Sequence, residues 1–164
     1  MDESTERSRM QSVLVVEDVA NELSVLCDLL SDEGFRVIGC RSATEALQHV
    51  RDESFGVAVV DLSLPDLNGT QLLEEIKRLG KRVRVVIYTG DVSFDSAKAA
   101  INLGAFAYVE KLSDPSELLR HVHRACREHF DQYAQDLEQA IAERERAEAA
   151  LRREQQLLKH LLEV

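Results

Sequence analysis

The sequence has no tryptophan, two prolines and seven glycines in 164 residues, and only 5% of its residues are aromatic. So little glycine and proline excludes a collagenous or linker-dominated chain. Long apolar runs are missing as well. None approaches the roughly 20 residues of a membrane span, and no apolar stretch follows a basic N-terminal start. The three cysteines, Cys27, Cys40 and Cys126, are scattered. They form neither a C-x-x-C pair nor an even-numbered framework, which points to a reduced, cytoplasmic setting. Positive charge is also in short supply. Twenty Lys and Arg against thirty Asp and Glu leave a formal net charge of −10, the wrong sign for gripping a nucleic-acid backbone. The same surplus leaves room for a divalent cation.

What is present is a length that allows one ordinary domain plus an appendage, with enough apolar residues for a real core. Residues 1–11 are polar and aperiodic and read as a disordered lead-in. Beyond them, short β-branched runs alternate with amphipathic stretches. The runs are Val13–Val16, Phe35–Ile38, Val57–Val60, Val83–Ile87 and Phe106–Val109. The first and third are unbroken apolar runs, as strands buried on both faces of a parallel sheet require. Arg36 and Gly39 mark the second as an edge or near-edge strand.

The stretches between carry helical stripes with readable ends. Leu23, Leu26, Leu29 and Leu30 precede Gly34; Leu72, Leu73, Ile76 and Leu79 precede Gly80; Ala97, Ala100, Ile101 and Leu103 precede Gly104. Ser42 and Glu45 form a capping box ahead of Ala46, Leu47 and Val50, and Asp114-Pro115 opens a fifth helix. Five strands alternating with five helices predict a doubly wound α/β domain with a parallel sheet.

The fifth helix has no stop signal. No Gly or Pro follows Pro115, and a helix from there onward would extend ~75 Å. Phe130, Leu137, Arg144, Leu151 and Leu158 recur every seven residues, with Tyr133, Ala140, Ala147, Glu154 and Leu161 three later. All but Arg144 and Glu154 are apolar or small, the seam of a coiled coil. Residues 129–164 are therefore expected to form a helical, dimerising coil. It ends mid-pattern, so a longer protein with a further output module is expected. His121, His123, His129 and His160 complete no ligand set and read as helix-surface residues.

Ligands of open parallel α/β sheets bind at the carboxyl ends of the strands. There the sequence places Glu17 and Asp18 after the first strand, Asp61 at the third, Thr89 after the fourth and Lys111 after the fifth. A lone strand-end carboxylate is usually solvated or caps a helix. Three of them packed together repel one another unless a hard dication sits among them. The first turn, Glu17 to Glu22, has no glycine-rich phosphate cradle, which disfavours a dinucleotide enzyme. A carboxylate beside Mg²⁺ and Lys⁺ is a plausible nucleophile toward a phosphoryl group. Asp61 takes that role, Glu17 and Asp18 hold the metal, and Lys111 and Thr89 meet charge on the transferred oxygens.

The stretches Val13-Leu-Val-Val-Glu17-Asp18, Val59 to Gly69 with its D-x-x-L-P-x-x-x-G pattern, Val86 to Gly90, and Gly104 to Lys111 together resemble the receiver domains of two-component response regulators, over residues 12–128. The resemblance implies a flavodoxin-like sheet of order 2-1-3-4-5 and Asp61 as phosphoacceptor. It further implies Mg²⁺ on Asp18, Asp61 and the Ser63 main-chain carbonyl, with Glu17 assisting. Thr89 and Tyr108 would be the switch pair, and Ser63 and Asp91 would flank the pocket. A histidine kinase, free-standing, hybrid or fused, would be the donor. The chain would then be a cytoplasmic phosphoprotein switch rather than an enzyme, with neither nucleic acid nor membrane as a partner of this segment. One departure is visible: Leu112 follows Lys111 where the family usually has Pro in a cis peptide, so this bond is expected to be trans. The tail from Arg144 to Leu158 is similar to signalling helices that precede PAS or histidine-kinase modules.

Two other readings use the same residues. A metal-dependent phosphohydrolase would turn Asp61 over on a small ester, but Ser63 stands where some such enzymes have Asp. A phosphorylation-independent pseudo-receiver would serve only as a coiled-coil interaction module.

Overall fold

The computed structural model describes Ser4 and residues 11–163. Apart from Ser4 and Gln11, the expected lead-in lies outside the described residues. The chain divides into two compact units, residues 1–129 and residues 130–164.

In the first unit, strands and helices alternate: β1 (Ser12–Val16), α1 (Ala20–Asp32), β2 (Arg36–Cys40), α2 (Ala43–Asp52), β3 (Val57–Val60), α3 (Gly69–Arg78), β4 (Arg84–Thr89), α4 (Phe94–Asn102), β5 (Ala107–Glu110) and the start of α5 (Pro115–Leu162). The five strands form one parallel sheet of order β2-β1-β3-β4-β5, the doubly wound, flavodoxin-like arrangement expected. The period of two along each strand divides the core. Val13, Val15, Val57, Val59 and Val86 face Leu26 and Leu30 of α1 and Leu118, Val122 and Ala125 of α5. Leu14, Val16, Ala58, Val60, Val85 and Ile87 face Ala46, Leu47 and Val50 of α2 and Leu72, Leu73 and Ile76 of α3. A central strand that is buried on both faces has no polar alternation to show, which is why β1 and β3 read as plain apolar runs.

The helix ends follow the local chemistry. Gly34, Gly80 and Gly104 all take positive φ just beyond α1, α3 and α4. The Ser42 hydroxyl accepts from the Glu45 amide, as a capping box requires, but Glu45 reaches back to the Arg41 amide (3.0 Å) rather than to Ser42. A second side chain completes this helix start: Asp66, from the β3–α3 loop, accepts from the Ala43 and Thr44 amides and from the Thr44 hydroxyl. Gly69 is fixed by crowding rather than by φ. A Cβ there would lie 2.5 Å from the Asp61 carbonyl oxygen and 2.8 Å from the Leu62 Cα, so only glycine lets α3 begin against the end of β3.

Some element details differ from the sequence reading. Strand β2 runs to Cys40, and β4 runs through Tyr88 and Thr89, so Thr89 is the last strand residue and not a turn residue. Ile101 is not on the inner stripe of α4: half of it is exposed, and Ala100 alone of that helix is fully buried. The Lys111–Leu112 bond is trans, as expected.

In the second unit, the helix continues to Leu162 and none of the described residues 130–162 is buried. Phe130, Leu137, Leu151, Leu158 and Leu161 are exposed. Arg144 pairs along its own helix with Glu148, and Gln132–Asp136 and Gln139–Glu143 make the same i,i+4 contact. No helix among the described residues is long and apolar enough to cross a membrane.

Candidate functional site

The register of the sheet brings the site together. Val16 pairs with Val60 across β1 and β3, so Glu17 and Asp61, the next residue on each strand, emerge side by side. The Asp61 amide still donates to the Val16 carbonyl, and the Glu17 amide to Cys40. On the other side Thr89 pairs with Glu110, and the Lys111 amide donates to the Thr89 carbonyl. Strand ends β1, β3, β4 and β5 thus deliver Glu17, Asp61, Thr89 and Lys111 to one rim.

Lys111 lies at the centre. Its Nζ is 2.6 Å from Glu17 Oε2 and 2.8 Å from Asp61 Oδ2, and it also pairs with Glu22 of α1. The Asp61 Oδ1 accepts from the Ser63 amide (3.1 Å), and Glu17 Oε1 accepts from the Val19 amide (3.1 Å). Glu17, Asp61 and Thr89 are buried, whereas Asp18 is partly open. Burial costs each carboxylate its hydration, and the neighbours decide the outcome. For Glu17, burial pushes the carboxyl up to about 7 against the opposing pull of Lys111 and the Val19 amide. For Asp61, burial acts the same way, but Lys111, the Ser63 amide and the Thr89 hydroxyl hold the carboxyl below its ordinary value. Burial alone would lower Lys111; Asp61, Glu17 and Glu22 together hold it above the usual lysine range. One rim therefore carries an ionised Asp61, a firmly charged Lys111 and a Glu17 that shares its proton with neutral solution.

Carboxylate oxygens of Glu17, Asp18 and Asp61 lie within 4.8 Å of one another. An all-oxygen donor set of this kind fits a hard dication and does not suit a soft one. The Asp18 backbone is held from outside the pocket, since Arg41 donates through Nε and Nη2 to its carbonyl at 3.0 and 2.9 Å. Among the described residues the Asp18 carboxylate itself takes no hydrogen bond, so it remains available as a ligand.

Tyr108 sits apart from this cluster. Its hydroxyl donates to the Asp91 carbonyl, while the Asp91 amide donates to Thr89 Oγ1 at 3.2 Å. One residue of the β4–α4 loop thus contacts both. Nothing in the sequence marks Glu22, Arg41 or Asp66 as contributors to this rim or its supports. Glu22 passes for an ordinary first-turn acid, and the other two bind mainly backbone groups that a sequence does not locate.

Residues 13–123 match the response regulator receiver domain. The chain belongs to that family. It is 31% identical over 113 residues to the transcriptional regulatory protein ZraR of Escherichia coli, covering 69% of this chain and 26% of that one. It spans about a quarter of the length of the curated relatives it matches. Among solved structures it is similar to a CheY-like receiver domain protein from Methanospirillum hungatei, with a TM-score of 0.70 at 30% identity, covering 74% of this chain and 97% of that one. It is also similar to the beryllofluoride-activated NtrC4 receiver domain dimer, with a TM-score of 0.69 at 30% identity, covering 73% and 98%. Receiver domains are signalling domains and not classical enzymes.

Proposed function

We propose that this receiver domain is a phosphorylation-controlled switch in which Asp61 accepts a phosphoryl group from the phosphohistidine of a histidine kinase. A carboxylate oxygen of Asp61 attacks phosphorus, the N–P bond breaks, and its electron pair stays on the imidazole nitrogen. The observation that carries this reading is Lys111, whose ammonium lies 2.8 Å from Asp61 within a ring of carboxylates. It is placed to meet negative charge on the transferred oxygens at the moment they arrive. Asp18, Asp61 and the Ser63 carbonyl would hold Mg²⁺, with Glu17 assisting. When bound, that ion would neutralise charge on the phosphoryl oxygens. The same residues would catalyse loss of the phosphoryl group to water, so self-catalysed transfer and hydrolysis are the extent of the chemistry.

Thr89 and Tyr108 form the switch in this reading. The Thr89 hydroxyl, drawn toward the new phosphoryl oxygens, gives up the Asp91 amide, and the same residue's carbonyl releases Tyr108. The other ends of these strands touch α5. Arg84 at the start of β4 approaches Glu128 at 3.7 Å, and Arg84 and Arg124 both lie over the Phe106 ring that precedes β5. A shift at the top of β4 and β5 would therefore reach α5 at their base.

The output in this reading is coil pairing. We divide the chain into a receiver domain at 12–128 and a helical linker from 129 onward. A helix that buries none of its residues rests on intrinsic propensity and exposed i,i+4 pairs, each contributing about 0.2–0.5 kcal/mol. A second copy of the chain would cover the seam from Phe130 to Leu161, giving a homodimer. The test of the switch is Mg²⁺ with beryllofluoride. The expected result is a saturable, Mg²⁺-dependent change in the amide spectrum around Thr89 and Tyr108, absent in Asp61→Asn. A protein that serves only as a scaffold would show no change.

A further inference from the structure

An ammonium group has three N–H donors and accepts nothing, and Lys111 has a carboxylate for each. Two of these, Glu17 and Asp61, come from strand ends and are 1% and 7% exposed in their side chains. The third, Glu22, comes from the first turn of α1, and its side chain is 47% exposed. A phosphoryl group formed on Asp61 carries three terminal oxygens where the carboxylate offered Lys111 one, so it takes over the donor that Asp61 held and calls for a second. Glu17 is buried at the end of β1 and held between Lys111 and the Val19 amide, so it has no water to turn to. Glu22 can return to water, and an exposed ion pair is cheap to break.

Resting on the reading of Asp61 as phosphoacceptor, we propose that Glu22 is a latch on Lys111, a positioning residue that holds the third donor of the ammonium at rest and yields it to the incoming phosphoryl group. The strength of this pair then sets how readily the receiver is phosphorylated. Two simpler roles compete with it. As an acid in the first turn of α1, whose N-cap residue Val19 makes no side-chain cap, Glu22 would complement the helix N-terminus. As an exposed charge at the mouth of the pocket, it would repel an anionic donor through space.

Acetyl phosphate with Mg²⁺ distinguishes these. In that reaction Asp61 attacks phosphorus, the P–O bond to the acetyl group breaks, and acetate leaves with the electron pair. Labelling rates are compared for wild type, Glu22→Gln and Glu22→Asp, with Asp61→Asn as the blank. Glu22→Asp keeps the charge but is one methylene shorter, so it loses reach toward Lys111. The latch predicts that both variants label faster than wild type, by about two- to fivefold, the range an exposed ion pair commands. It also predicts that both bind beryllofluoride more tightly by a similar factor. Faster labelling in Glu22→Gln alone, with Glu22→Asp at the wild-type rate, would assign Glu22 to through-space repulsion and overturn the latch. Wild-type rates in both variants, with a lowered urea midpoint, would assign it to the helix terminus and overturn the latch while Asp61 keeps its role. Wild type that takes no label, or as little as Asp61→Asn, would overturn the phosphoacceptor reading itself.

Discussion

Glu17 and Asp61 are neighbouring carboxylates on paired strands, and both lose hydration, yet their charges respond to pH in opposite ways. Asp61 has three partners that favour its ionised form, whereas Glu17 is held near 7, above its ordinary 4.5. Below pH about 4.5 the Glu17 proton is bound in both folded and unfolded chains and pH has no effect through it. Between there and about 7 the unfolded chain gives up the proton and the folded one keeps it, so folding stability falls as pH rises and levels off above 7. In EDTA, the urea midpoint of wild type should therefore decline relative to that of Glu17→Gln between about pH 5 and pH 7.5. A difference that stays flat over that range would contradict the account. Arg41 belongs to the same scale. Its fork on the Asp18 carbonyl fixes the acidic turn, so Arg41→Met should weaken Mg²⁺ affinity severalfold by titration, with little change in the urea midpoint. Glu17, Asp18, Asp61 and Lys111 were legible in the sequence because strand ends fall where apolar runs stop. Glu22 and Arg41 were not, because their contacts depend on how α1 and the β2–α2 loop turn over the rim.

At the scale of the element, the β3–α3 loop is pinned at both ends. Asp66 ties it to the start of α2, where the Thr44 hydroxyl, with the Ala43 and Thr44 amides, holds the carboxyl well below its ordinary value. Gly69 lets α3 start against the backbone of Asp61 and Leu62. Removing the cap with Asp66→Ala should cost about 1 kcal/mol in urea unfolding. Gly69→Ala forces a methyl group against backbone atoms and should cost about 1–3 kcal/mol. Because the clash falls on the Asp61 carbonyl, labelling of Asp61 should also drop in Gly69→Ala but not in Asp66→Ala. The spacing from Asp61 to Gly69 was visible in sequence, but the reason for glycine was not. It is contact between two chain segments rather than a turn with positive φ. Helix α4 shows the opposite limit: its weak stripe of Ala97, Ala100 and Ile101 carries too little apolar contrast to fix the helix rotation, and Ile101 faces outward.

At the scale of the whole molecule, the order of the sheet and the acidic rim were readable because a parallel α/β chain repeats one rule at every strand. The long helix was readable as a helix, but a single chain does not show what covers its seam. The described seam residues are exposed, and a second copy covering them would make the helix concentration-dependent. Sedimentation should find the 164-residue chain dimeric at micromolar concentration and a chain ending at His129 monomeric. Monomers in both cases would leave the helix solvated and the output unassigned. The central claim, that Asp61 is the phosphoacceptor, rests on one chemical event. Intact-mass analysis after acetyl phosphate and Mg²⁺, followed by borohydride trapping and peptide mapping, tests it most directly. One phosphoryl group per chain is expected, located on Asp61 and lost in Asp61→Asn. Equal labelling of that variant, or label on any other residue, would contradict it.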